Sequence, residues 1–196
     1  MPVLTIIAGP NGCGKSTLTR SLAFPGKDNL FDPDAIAKGI APGDPAGVAL
    51  TAGRLALERR SECLANAIDF AIETTLAGAG VLTLMKQAKG RGFEINLIYV
   101  AVDDPERSVQ RVRERVAQGG HSVPPEDVRR RYARSMGNVS EAIQIADVSV
   151  LFDNSELRHE KILEAQRGIV LWTAPHLPGW ARRVLSDLES SKAQQA

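Results

Sequence analysis

The sequence predicts an α/β fold of three layers, a parallel sheet between helices, and two observations carry the prediction. Apolar, β-branched runs alternate with segments of helical spacing from Val3 to Asn154, the pattern of strands joined by crossover helices and buried on both faces. Each run also ends in a polar or glycine-rich cluster: Gly9-Pro10-Asn11-Gly12, Asp32-Pro33-Asp34, Glu73-Thr74-Thr75, Asp103-Asp104 and Asp153-Asn154. Ligands of open α/β sheets sit at the carboxyl ends of the strands, so these clusters mark one functional edge.

Val3 to Ala8 is continuously apolar apart from Thr5 and reads as the first strand, followed by helical spacing from Lys15 to Ala23. Asn29 to Phe31 is a short strand entering the Asp-Pro-Asp turn, with a helical segment over Ala35 to Ile40. Ala46 to Ile68 has no internal proline, is rich in alanine, leucine and arginine, and spaces Leu50, Leu57, Leu64 and Ile68 for one helical face, which predicts a long helix. Phe70-Ala71-Ile72 runs as a strand into Glu73, then a helix near Val81 to Arg91 and a strand over Glu94 to Val102.

Pro105 to Ala117 and Pro125 to Ile145 read as helices. The stretch Gln118-Gly119-Gly120-His121-Ser122-Val123-Pro124 between them is a flexible break, expected as a lid over about residues 115–131. Val148 to Phe152 is a further strand, and Ile162 to Gln166 with Ile169 to Thr173 around Arg167-Gly168 predicts a C-terminal hairpin. Residues 1–160 are expected as the main domain, 161–188 as the hairpin and a short helix packed on it, and 189–196 as a frayed polar tail.

The bulk properties exclude several classes. With 196 residues, 43% hydrophobic and 24% charged, one ordinary globular domain is expected. A net charge of +1 withholds the basic excess that nucleic acid calls for, and 5% aromatic content leaves few platforms for stacking bases. Cys13 and Cys63 suggest neither a disulfide framework nor a metal site. The opening segment has no basic region and is cut short by glycine before it could form a signal or a membrane span, so a cytoplasmic protein with reduced thiols is expected.

Gly9-x-x-x-x-Gly14-Lys15-Ser16 matches the Walker A pattern in the context it requires, an apolar strand before and a helix after. Its glycines let backbone N–H groups curl around phosphate oxygens, and the helix N-terminus adds free donors. Gly9, Asn11, Gly12, Cys13, Gly14, Lys15, Ser16 and Thr17 are therefore the candidate ATP-binding residues. Lys15 would reach the β- and γ-phosphates, and Ser16 would ligate Mg²⁺. A glycine turn that binds nothing, or a loop that binds without turnover, is the competing reading.

Phosphoryl transfer needs a group that positions or deprotonates the acceptor hydroxyl and cations that neutralise the transferred oxygens. Asp34 follows the second strand beside the expected γ-phosphate, with Asp32 two residues away, although either would also serve as a helix cap. Glu73, with Thr74 and Thr75 behind it, projects into the crevice and suits a substrate or Mg²⁺-water contact. Arg107, Arg111 and Arg115 precede the glycine break, and Arg129, Arg130, Arg131 and Arg134 follow it. Such charges usually pair on solvated faces, but arginines on both sides of a hinge suit a closing lid. His121 in the break is a candidate phosphate contact or an exposed loop histidine.

Taken in order, the loop, the acidic turn, Ile72-Glu73-Thr74-Thr75-Leu76 and the stretch from Arg115 through Gly119-Gly120-His121 to Arg134-Ser135 resemble the zeta toxin family of P-loop kinases, from about Val3 to Ser155. The resemblance implies a P-loop kinase-like sandwich, ATP with Mg²⁺, and transfer of the γ-phosphoryl group to a hydroxyl. UDP-N-acetylglucosamine is the leading small-molecule acceptor and a nucleoside or simple sugar the next. It further implies Asp34 as base, Glu73 holding the acceptor sugar, Arg131 or Arg134 clamping phosphate, and a protein antitoxin as a partner. Two alternatives stand beside the kinase: a nucleotide-dependent regulatory module, and a kinase of nucleic-acid 5′-hydroxyls that charge and composition disfavour.

Overall fold

The structure is a computed structural model describing residues 1–45, 47–120 and 122–193. Seven strands, β1 (Val3–Ala8), β2 (Leu30–Phe31), β3 (Phe70–Thr74), β4 (Glu94–Ala101), β5 (Val148–Asp153), β6 (Glu160–Gln166) and β7 (Ile169–Thr173), form one sheet in the order β2-β3-β1-β4-β5-β6-β7. The first five are mutually parallel, while β6 and β7 return antiparallel as the expected C-terminal hairpin.

The helices are α1 (Lys15–Ser21), α2 (Pro33–Ile40), α3 (Ala49–Ala65), α4 (Ala79–Gly90), α5 (Pro105–Ala117), α6 (Pro125–Ile145) and α7 (Gly179–Ala193). Alternate residues of the central strands face opposite layers, as the pleat requires. Leu4, Ile6, Leu97 and Tyr99 pack with Leu82 and Met85 of α4, Val139 and Ile143 of α6 and Val184 of α7, whereas Val100 packs with Leu18 of α1. Among the described residues no helix is long and apolar enough to cross a membrane.

The leucine spacing of α3 does not mark its buried face: Leu50 is 70% and Leu57 51% exposed, Ile68 beyond the helix is also exposed, and Leu64 is half-buried against the core, while Ala52, Ala56 and Cys63 form the buried face. α3 packs mainly on α2 and hardly on the sheet, and a close helix pair favours small side chains at its contact. α7 continues through Glu189 to Ala193, and Leu188 is buried in the core.

The register sets the functional edge. Ile7 lies beside Glu73, Ala8 beside Thr74 and Phe31 beside Ile72, so the chain leaves β1, β2 and β3 at one level. The Gly9 N–H donates to the Thr74 carbonyl at 3.2 Å, tying the glycine loop to the end of β3.

Candidate functional site

The loop after β1 turns where only glycine fits. Gly9 has φ +142°, and a Cβ there would overlap the Val100 carbonyl of β4. The loop leads into α1, whose first residue, Lys15, is only 8% exposed. Its ammonium folds back to donate to the Gly9 and Pro10 carbonyls, each at 2.8 Å. Ser16, next in the helix, is exposed and donates its hydroxyl proton to Glu73 Oε1 at 2.8 Å.

Glu73 and Asp32 both feel this ammonium, and Asp34 adds a third carboxylate beside them. Burial pushes the Glu73 carboxyl above its ordinary range; Lys15 and the Ser16 hydroxyl oppose the rise, and the Asp32 and Asp34 charges add to it. Burial likewise raises Asp32, against the Asp34 N–H it accepts and with the Asp34 charge. The two aspartates divide their tasks. Asp32 is the N-cap of α2, accepting from the Asp34 N–H at 3.0 Å, with Pro33 at the first helical position; Asp34 lies in the exposed first turn, and its side chain has no hydrogen-bond or ion-pair partner among the described residues.

Thr74 is committed to the backbone, its Oγ1 accepting from the Leu76 N–H at 3.1 Å, while Thr75 is half-buried beside it. Leu76 is fully buried with φ +56°, a left-handed conformation that costs a leucine about 1–3 kcal/mol. The surroundings hold it there. The Asn138 amide of α6 donates to the Leu76 carbonyl at 2.8 Å, so α6 is docked directly on the corner after Glu73.

That docking fixes the arginines of α6. Tyr132 donates to the Val102 carbonyl at 2.8 Å, and the Ser135 and Tyr99 hydroxyls bond at 2.9 Å, fixing the rotation of α6. Arg131 and Arg134 stand seven and four residues before Asn138, on the same flank of the helix. Arg129 pairs with Glu106, Arg130 with Asp127 and Arg107 with Asp103. Arg131, half-buried, and Arg134, exposed, form no ion pair among the described residues. His121 lies outside the described residues.

The residues present fit Mg²⁺. Ser16 gives its proton to Glu73, which leaves the lone pairs of its oxygen free for a hard cation. Mg²⁺ characteristically takes one or two protein oxygens and completes its shell with phosphate and water. The remaining loop residues shape the nest. Cys13 is fully buried with its thiol pushed up by burial, Thr17 is exposed on α1, and Asn11 is half-buried with an unpartnered Oδ1. Two side chains that the sequence did not single out also touch this loop. Asn154 donates to the Cys13 carbonyl at 2.9 Å, and His159 Nε2 meets the Gly14 carbonyl at 3.1 Å. Asn154 was visible as part of a strand-end cluster, but nothing near His159 in the sequence signals its approach.

A family described as AAA domain matches residues 4–143. The chain belongs to this AAA domain family. An uncharacterized protein of Haemophilus influenzae is 36% identical over 124 residues, covering 63% of this chain and 88% of that one. The structure of AvrRxo1-ORF1:-ORF2 with ATP superposes with a TM-score of 0.69 at 15% identity, over 95% of this chain. The present chain spans 63% of that protein's length. The PezAT chromosomal toxin-antitoxin system of Streptococcus pneumoniae gives a TM-score of 0.60 at 14% identity, over 99% of this chain and 87% of that one. These similarities bear out the P-loop kinase-like α/β architecture; the family shown is broader than the zeta toxin family that the motifs resemble.

Proposed function

We propose that this AAA-domain protein is an ATP-dependent phosphotransferase that moves the γ-phosphoryl group to a hydroxyl of a small metabolite. The observation that carries the reading is the convergence of Lys15, Ser16, Asp32, Asp34 and Glu73 at the ends of three adjacent strands. A nucleotide-binding loop alone needs no such cluster of acids, whose mutual repulsion costs stability; phosphoryl transfer to an alcohol needs both an anion cradle and a carboxylate.

Lys15 turns from the Gly9 and Pro10 carbonyls to the β- and γ-phosphates, exchanging two neutral acceptors for charged ones. Ser16 would hold Mg²⁺, which would supply positive charge against the phosphate oxygens. Glu73 accepts the Ser16 proton, which would leave the hydroxyl lone pairs for the metal, and its carboxylate would also hold the acceptor. Asp34 takes the proton of the acceptor hydroxyl as its oxygen bonds to the γ-phosphorus. The β–γ bridging bond breaks, and ADP leaves with that bonding pair. Arg131 and Arg134 close over the transferred oxygens, and Thr74 and Thr75 flank the acceptor; His121, the candidate phosphate contact of the sequence, lies outside the described residues.

The motif resemblance makes UDP-N-acetylglucosamine the first acceptor to test, with nucleosides and simple sugars next. The similarity to a toxin-antitoxin system supports a neutralising protein partner. The test is incubation of the protein with ATP, Mg²⁺ and each acceptor, followed by mass spectrometry for the species that gains one phosphate. ATP binding with no phosphorylated product from nucleotide sugars, nucleosides, sugars or a metabolite extract overturns the kinase and leaves a nucleotide-dependent regulatory module.

A further inference from the structure

A loop that cradles phosphate must aim successive N–H groups inward, which turns its carbonyls outward and leaves them in need of donors. Here the outward carbonyls fall into two groups. Those of Gly9 and Pro10 are held by the Lys15 ammonium, a contact that ends when Lys15 moves to phosphate. Those of Cys13 and Gly14 are held from behind by groups with no reason to move. The Asn154 amide donates to the Cys13 carbonyl at 2.9 Å, and His159 Nε2 lies 3.1 Å from the Gly14 carbonyl, which also accepts from the Thr17 and Leu18 N–H groups. A carbonyl can only accept, so Nε2 carries the proton in this contact.

Both donors sit on a braced segment between β5 and β6. The Asn154 N–H donates to the Ala101 carbonyl of β4 at 2.8 Å, and Arg111 of α5 donates to the carbonyls of Asn154 at 2.7 Å and Glu156 at 3.4 Å. The preceding Asp153 carboxylate accepts from the Ser155 hydroxyl and the Trp180 indole, pinning the start of the segment to the core. Gly14 makes the approach feasible: its φ is +96°, and a Cβ there would overlap the Asn154 amide and stand 2.9 Å from His159 Nε2. The glycine before Lys15 is thus needed by the brace behind the loop as well as by the phosphate in front of it.

We propose that Asn154 and His159 are positioning residues that preset the Cys13 and Gly14 peptides for the triphosphate, keeping the nest open when Lys15 releases its own carbonyls. The proposal rests on the nucleotide-binding reading above. Because these residues act on the loop and not on the base, they must affect any ligand through its phosphates.

The test is calorimetric titration of the full chain and of Asn154→Asp, His159→Leu and His159→Gln with ATP·Mg²⁺ and with inorganic tripolyphosphate·Mg²⁺, beside thermal melts without ligand. Asn154→Asp replaces the donor by an isosteric oxygen facing a carbonyl; Gln places an amide N–H at about the reach of Nε2, and Leu has no donor. Outer-shell groups that hold metal ligands in place are worth about 10- to 100-fold in metal affinity, and donors that hold a phosphate nest are expected on the same scale. Asn154→Asp and His159→Leu should each weaken ATP and tripolyphosphate by the same factor, about tenfold or more, and His159→Gln should restore most of the loss. Wild-type affinity in the two weakened variants overturns the proposal, as does a loss for ATP that tripolyphosphate does not share, or a Gln variant no better than Leu. Failure of the wild-type chain to bind ATP or tripolyphosphate would instead overturn the nucleotide-binding reading itself, and the proposal with it.

Discussion

Replacing Glu73 by glutamine should move nucleotide binding in opposite directions with and without Mg²⁺, because the carboxylate has two separable roles. It accepts the Ser16 proton at 2.8 Å, and it adds negative charge to a site already holding Asp32 and Asp34. Glutamine keeps the shape and can still accept from Ser16, but as a neutral partner. Hydrogen bonds to charged groups contribute about 1.5–3 kcal/mol against about 1 kcal/mol for neutral ones. The weaker hold on Ser16 should therefore cost about 1 kcal/mol, or roughly fivefold in affinity for ATP·Mg²⁺. Without metal the nucleotide meets the acidic cluster unscreened, so Glu73→Gln should bind free ATP more tightly than the wild type. Glu73→Ala, which leaves Ser16 undirected, should lose about 10- to 100-fold in the presence of metal. Titrations of ATP in EDTA and across a Mg²⁺ series measure both effects. Equal loss with and without metal would refute the assignment of Glu73 to the metal side of the site.

The same acidic cluster sets the sign of a pH effect. The folded-state pKa values of Glu73 and Asp32 lie above their unfolded values, so their ionisation destabilises the fold; that cost is full above the folded pKa and relieved as pH falls through it. The melting temperature of Glu73→Gln without ligand should therefore exceed the wild type at neutral pH, and the gap should close toward pH 4. Asp34→Asn should lower kcat by about 10²- to 10⁴-fold with ATP affinity kept, as loss of a general base does. Asp32→Ala should instead lose a helix cap, about 1 kcal/mol and a few degrees of melting temperature. Arg131→Ala and Arg134→Ala should reduce turnover by up to about 10³-fold, whereas Arg130→Ala, which breaks an exposed pair with Asp127, should change stability by less than about 1 kcal/mol; steady-state kinetics and thermal melts separate the two groups.

Much of the site was legible because short-range patterns encode it. Gly9, Gly14, Lys15 and Ser16 are contiguous, so the loop, its strand and its helix could be read together. The bounds of α5 and α6 were equally plain, each opening on a proline and flanking a glycine break. Periodicity was a weaker guide. The leucines of α3 repeat on one stripe, yet its buried face is Ala52, Ala56 and Cys63, and only Leu64 of the stripe is half-buried against the core. A helix pattern records which residues share a face; it does not record which face a neighbour will cover.

By itself the sequence determined the α/β class, the order of the elements, the phosphate loop and a set of acids and arginines able to serve it. Only the tertiary structure decided which of those groups meet. The register of β1 against β3 carries Glu73 to Ser16, 57 residues away in the chain, and the capping geometry of α2 separates Asp32 from Asp34. Among the described residues Arg131 and Arg134 form no ion pair, and the segment after β5 brings Asn154 and His159 to the back of the loop, 141 and 145 residues from their partners. The reason is physical: local sequence sets backbone propensity and residue chemistry, whereas a hydrogen bond between distant side chains exists only once the sheet order and helix packing have set their distance.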